Sequence, residues 1–162
     1  MKWSRLILLA VVAALGVWAW TALHPSAERL IRKQLDGVAR AASFGSGEGS
    51  LATLAAADNL GDFFSTNADV QVELPDRQEH RLAGREEIRQ AAMAARAAVQ
   101  ALSVTFPGVA VTVNADQESA VADVLVLARV PGERDTIERQ MKFTLRKIDG
   151  QWLIVKVETV RA

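Results

Sequence analysis

Three side chains in this sequence of 162 residues have the types and spacing that acid–base chemistry needs: Asp69, Asp76 and His80. Asp69 opens an alternating stretch, and burial there would raise its pKa toward use as a general base. The competing reading is a turn carboxylate in water. Asp76 and His80 flank a tight connection in the run DRQEHR, where a carboxylate that orients an imidazole makes a base with its partner. A solvated hairpin accounts for the same residues. Cysteine is absent and His24 and His80 are the two histidines, so thiolate catalysis, disulfides, thiolate metal sites and histidine metal clusters are excluded. The run GSGEGS, Gly45 to Ser50, is rich in glycine but lacks the preceding strand and the lysine of a phosphate-cradling loop. No metal or cofactor is expected.

A second group of residues points to binding. Phe63, Phe64, Met141, Phe143 and Trp152 could line a pocket for an apolar small molecule. Packing of a domain interior uses the same residue types. Nucleic acid is excluded as a partner, because Lys plus Arg and Asp plus Glu both number 19 and no concentrated basic face is available to displace phosphate counterions.

Any such site must be positioned by a chain that begins with an apolar segment. Leu6 to Leu23 (LILLAVVAALGVWAWTAL) is 18 residues without a charge. A helix of that length, rising about 1.5 Å per residue, covers most of a hydrocarbon core of ~30 Å. Lys2 and Arg5 precede it, Trp18 and Trp20 sit near its far end, and His24-Pro25 stops it. Residues 1–25 are therefore expected to be a signal-anchor or transmembrane helix, with 26–162 as one soluble domain. A cleaved signal peptide is the alternative. The short charged N-terminal tail favours a cytoplasmic N-terminus and an extracytoplasmic domain, although Arg29, Arg32, Lys33 and Arg40 beyond the span pull the other way, unless they rest on anionic headgroups.

Periodicity supplies the rest. Ser26 caps a helix to Ala42 along the stripe Ile31, Leu35, Val38, Ala42. Ser43 to Ser50 is a flexible connection, and Leu51 to Phe64 reads as a second helix with Leu54, Ala57, Gly61 and Phe64 on one face. Asp69 to Leu74 and His80 to Leu82 are strands joined at Pro75-Asp76. A third helix follows Gly84 along Ile88, Ala92, Ala95, Val99 and Leu102, with Arg85, Glu86, Glu87 and Arg96 toward water. Val104 to Val113, Ala120 to Val130, Thr136 to Ile148 and Trp152 to Val160 alternate as four long strands, with a tight turn at Asp149-Gly150 and a bulge at Pro107-Gly108. The fold class is α+β, a curved antiparallel sheet wrapped around about three helices. Val121, Leu125 and Leu127 leave the second long strand apolar on both faces, which a second subunit could cover.

The order helix, helix, strand, short strand, helix and four long strands, with AGREEI opening the third helix and RKIDGQWLIVKVE near the end, resembles the nuclear-transport-factor-2-like superfamily. This includes the SnoaL-like and ketosteroid-isomerase-like domains. The resemblance implies a cone with an internal pocket, often a homodimer through the sheet's outer face, and in the enzymes an Asp or an Asp/His pair, with a Tyr in the isomerases. Tyrosine is absent here. The expectation is a membrane-tethered extracytoplasmic binding or assembly module without catalysis. The alternative is a small enzyme or carrier for an apolar molecule in the cone.

Overall fold

The computed structural model describes residues 2–23, 25–73 and 79–160. Its elements are α1 (Lys2–Leu23), α2 (Ala27–Ala42), α3 (Ser50–Asp62), β1 (Phe64–Glu73), β2 (Glu79–Ala83), α4 (Arg85–Ala98), β3 (Ser103–Val113), β4 (Ser119–Arg129), β5 (Thr136–Ile148) and β6 (Gln151–Thr159).

Local chemistry explains where most of these begin and end. The Ser26 hydroxyl accepts from the Arg29 N–H and starts α2, which buries Ile31, Leu35, Val38 and Ala39 on one face. At the entrance to α4, Gly84 holds φ at +86°, a conformation that side chains with a Cβ resist. Glu87 then reaches back to accept from the Ala83 N–H at 2.6 Å. Asp149 and Gly150 both adopt positive φ, 50° and 80°, the left-handed pair that a two-residue hairpin turn demands.

The six strands form one curved sheet in the order β2-β1-β6-β5-β4-β3. From β3 to β6 every neighbour is antiparallel. The register shifts between Thr105 and Gly108, so Pro107 lies at an irregularity of an edge strand, where its missing N–H leaves no ladder bond unmade. The concave face is apolar, and its strands fit by alternating size: Ala122 sits between Val111 and Phe143, and Ala120 between Val113 and Leu145. Both alanines are fully buried. Large side chains thereby interlock with small ones, as dense interiors require. Phe106 tilts against Phe143 with ring centroids 6.0 Å apart.

Several expectations need correction. β1 starts at Phe64, not Asp69, and α3 stops at Asp62, because the Phe63 carbonyl accepts from the Ile154 N–H of β6 and draws this stretch into the sheet. Leu54, expected on the buried face of α3, is 43% exposed. The sheet is not wholly antiparallel, since β1 runs parallel to β6. These two strands are far apart in the chain, so no hairpin dictates their direction. α4 ends at Ala98, and Leu102 pairs instead with Phe44 in an isolated bridge. Arg96 does not face water: its side chain is 4% exposed.

α1 is a 22-residue helix, and its described large side chains, Ile7 through Trp18, are exposed. Among the described residues no helix is long and apolar enough to cross a membrane. The side chains of 1–6, 8 and 20–24, on which the expected span also depends, lie outside those described.

A Cβ at position 84 would stand 3.0 Å from the Thr66 carbonyl oxygen, in addition to the positive φ. Gly84→Ala is expected to lower the unfolding free energy by roughly 1–3 kcal/mol. Gly45→Ala, with open space around the new atom, should leave it within about 0.5 kcal/mol. Urea denaturation of both variants checks this, and equal midpoints would contradict it.

Candidate functional site

The five residues expected to line a pocket divide into two sets. Phe64, Met141, Phe143 and Trp152 are all within the buried core. Phe63 packs against that core but is only partly buried. Phe63 and Trp152 also line an open depression of about 550 Å³ between α2 and the β5–β6 turn, together with Leu30, Lys33, Gln34, Gly37, Arg40, Asp62, Gly150, Gln151 and Leu153. Gly37 permits this arrangement, since a Cβ there would fall 2.7 Å from the Phe63 ring. The floor is aromatic and the rim carries two cations against one carboxylate. Such a surface suits an apolar body with an acidic head more than a wholly apolar molecule.

The acid–base candidates are not brought together in that depression. Asp69 sits on β1 beside β2, where Oδ1 accepts from Arg81 Nε at 2.8 Å and Oδ2 from Arg81 Nη2 at 3.2 Å and Gln71 Nε2 at 2.8 Å. The Arg81 fork holds its carboxyl below the ordinary aspartate range, outweighing a partial loss of hydration, with Gln71 and the charge of Lys156 acting in the same direction. This is opposite to the rise that general-base use would need. His80 is exposed on β2, opposite Val72. Asp76 lies outside the described residues, so its expected pairing with His80 does too. Among the described residues no group of His, Cys, Asp or Glu is arranged to hold a metal ion.

Other charged side chains tie neighbouring elements together. Arg89 bridges Asp58 of α3 at 2.6 Å and Glu86 at 3.0 Å. That pairing lowers the Glu86 pKa through the Arg89 hydrogen bond and raises that of Arg89 through the Asp58 hydrogen bond. Arg85 donates twice to the Phe64 carbonyl, at 3.0 and 2.7 Å, and so ties the first turn of α4 to the start of β1. Asp116 accepts from the Glu118 and Ser119 N–H groups and the Ser119 hydroxyl in the β3–β4 turn, and these bonds lower its pKa, Glu118 foremost.

Sequence reasoning missed Arg96. Its Nη2 donates to the Ala41 carbonyl at 2.8 Å and Nη1 to that of Ala92 at 3.4 Å, and the guanidinium stacks 4.8 Å from the centroid of the Phe44 ring. A signal was present: Ile88, Ala92 and Arg96 fall at intervals of four on α4, and both earlier members are buried. The i, i+4 ladder carries the inward face on to Arg96.

Because the folded-state pKa of Asp69 is depressed, its contribution to stability is complete above the ordinary value of 3.8 and is lost as pH falls through the lower folded value. Asp69→Asn should therefore melt below the wild type at neutral pH, with the gap narrowing in acid beneath that ordinary value. A gap that stays constant through acid pH would refute the pairing. Hydrolytic or isomerase activity, were any found, should survive the substitution.

No family model matches the chain, and no curated protein matches it. Solved structures do. A nuclear-transport-factor-2-like protein of unknown function from Pseudomonas putida superposes with a TM-score of 0.66 at 11% identity, covering 86% of this chain and 89% of its own. A protein of unknown function with a cystatin-like fold from Nostoc punctiforme gives 0.63 at 14% identity, covering 84% and 91%. A candidate scytalone dehydratase from Novosphingobium aromaticivorans gives 0.59 at 16% identity, covering 83% and 84%. At these identities the likeness speaks to architecture alone: the chain has the nuclear-transport-factor-2-like, cystatin-like fold, an α+β domain whose curved six-stranded sheet encloses its helices.

Proposed function

We propose that this chain is a non-catalytic binding or assembly module, tethered to a membrane by α1 with its domain on the extracytoplasmic side, and paired with a second copy through the outer face of its sheet. One observation carries the non-catalytic reading. Among the described residues no carboxylate or imidazole is buried, and the buried polar side chains are Ser65 and the guanidinium of Arg96. Acid–base catalysis in a cone needs a titratable group taken out of water, where burial shifts its pKa into a useful range. Here the interior is closed by aliphatic and aromatic groups, and the acids sit in solvent or in ion pairs.

The tether rests on the uncharged stretch Leu6 to Leu23 and on the exposure of its described large aliphatic side chains between Ile7 and Val17, from 51% for Val11 to 65% for Leu9 and Val17. Apolar surface of that extent is satisfied by lipid. The pairing rests on Val121, Leu125 and Leu127. They alternate with the buried Ala120, Ala122 and Val124 along β4 and so point to the outer face. An enzyme or carrier acting on a small molecule is the second reading, favoured by the aromatic floor at Phe63 and Trp152 beneath Lys33 and Arg40.

The full chain in vesicles should resist alkaline extraction and, dissolved in neutral detergent, scatter light as two copies. Release at high pH removes the tether, and a single-chain mass at micromolar concentration removes the pairing. For the second reading, a panel of amphipathic carboxylates is the test. A true ligand at a hundred times its Kd should stabilise the fold by about 2.7 kcal/mol in thermal unfolding. A panel without a single stabilising member would dismiss the carrier.

A further inference from the structure

The glycine-rich connection between α2 and α3 has no part in either reading above, yet the fold places a buried cation beneath it. We propose that residues 44–53 and Arg96 form a site for a small soluble oxyanion, with the chemistry of inorganic phosphate or a phosphate monoester, and that the Glu48 carboxylate occupies that site when no ligand is bound.

Two observations converge on one depression of about 410 Å³, whose walls include Phe44, Ser46, Glu48, Thr53, Arg96 and Gln100. The first is Arg96 itself. Its side chain is 4% exposed, and Nε is buried with no hydrogen-bond acceptor. The nearest carboxylate oxygen, Glu48 Oε2, is 3.7 Å away, an ion-pair distance but too long for a hydrogen bond. Both other nitrogens are engaged with the Ala41 and Ala92 carbonyls and the ring of Phe44 lies flat against the group, so Nε is held in one direction. A buried guanidinium N–H with no acceptor is costly, and native structures seldom leave one unanswered.

The second observation is the start of α3. Its N-cap is Gly49, with no side-chain cap and no acidic residue in the first turn. The opening N–H groups, at Ser50, Leu51 and Ala52, therefore have no side-chain cap, and this first turn borders the depression through Glu48 and Thr53 on either side of it, where the helix dipole adds positive potential. Ser46 and Thr53 supply hydroxyl donors nearby. An oxyanion seated between Nε and these amides would satisfy both, as one carboxylate 3.7 Å off does not.

Position selects the source of the oxyanion. The loop follows the C-terminal end of α2, whose 16 residues place it about 24 Å along the helix from Ser26. A headgroup at a membrane holding α1 would sit near the other end of α2. A dissolved anion reaches the loop freely.

The test uses the ¹⁵N-labelled full chain in neutral detergent micelles, titrated with inorganic phosphate and, separately, with chloride at matched ionic strength. Phosphate should shift the amide signals of residues 46–53 and the Arg96 Nε–H in a saturable way, with weak affinity of roughly millimolar order, while chloride moves them little. Glu48→Gln, which removes the competing carboxylate and its 3.7 Å ion pair with Arg96, should bind phosphate about 3- to 10-fold more tightly. Arg96→Lys should abolish binding, and if that variant does not fold, Glu48→Gln alone decides. Signals that stay still with phosphate in Glu48→Gln, or that move equally with chloride, would show that Arg96 merely ties the ends of α2 and α4. Micelles doped with phosphatidic acid should leave the loop unmoved. A response to that lipid and not to phosphate would overturn the soluble source.

Discussion

The apolar concave face of the sheet has to be covered, and in this chain the amphipathic helix α2 laid along the concavity supplies the largest part of that cover. Ile31, Leu35 and Val38 of α2 enter the same buried cluster as Leu145, Ile154 and Val124 of the sheet. Full burial of five such side chains contributes on the order of 10 kcal/mol before entropy is counted. Ile31, Leu35, Leu145, Ile154 and Val124 are the largest fully buried groups. The remaining elements are arranged around this contact: α3 and α4 pair with one another over the sheet's other end, held by the Arg89 bridge to Asp58 and by the Arg85 bonds to Phe64.

Covering the concave face so completely has a functional consequence. Among the described residues, an interior filled by Met141, Phe143, Phe64 and Trp152 buries no carboxylate or imidazole, and the sequence has no tyrosine, the oxyanion donor that the isomerase resemblance implies. Polar chemistry is displaced to the periphery: to the rim above Phe63 and Trp152 along one side of α2, and to the loop above Arg96 that follows its C-terminal end. Both lie where helix ends meet turns, and there backbone groups and long cations can approach a ligand without disturbing the core.

Arg96 shows how a fold can bury a charge. Stacking on Phe44, a bond to the Ala41 carbonyl at the C-terminal end of α2, where the dipole favours a cation, and one to the mid-helix Ala92 carbonyl offset much of its lost hydration. What they leave unmet is one N–H, directed at a flexible glycine-rich loop. Asp69 is the converse: it looked like a candidate base, but it is neutralised by a fork from the neighbouring strand and serves to join β1 to β2.

Much of the architecture could be read from the residues in order. Period-two alternation marked β3 to β6 within a residue or so at each end, Asp149-Gly150 marked the turn between the last two, and Ser26 with the stripe from Ile31 marked α2. These features are local, set by side-chain period and by which residues tolerate positive φ, so neighbours in sequence suffice to specify them. Tertiary structure alone decided that β1 begins at Phe64, that it lies parallel to β6, that α4 stops so Leu102 can meet Phe44, and that Arg96 points inward while Arg81 claims Asp69. Each of those depends on a partner distant along the chain. The energy of a backbone pair, or of an ion pair shielded from water, exists only once the partner has arrived, and no local pattern encodes its arrival.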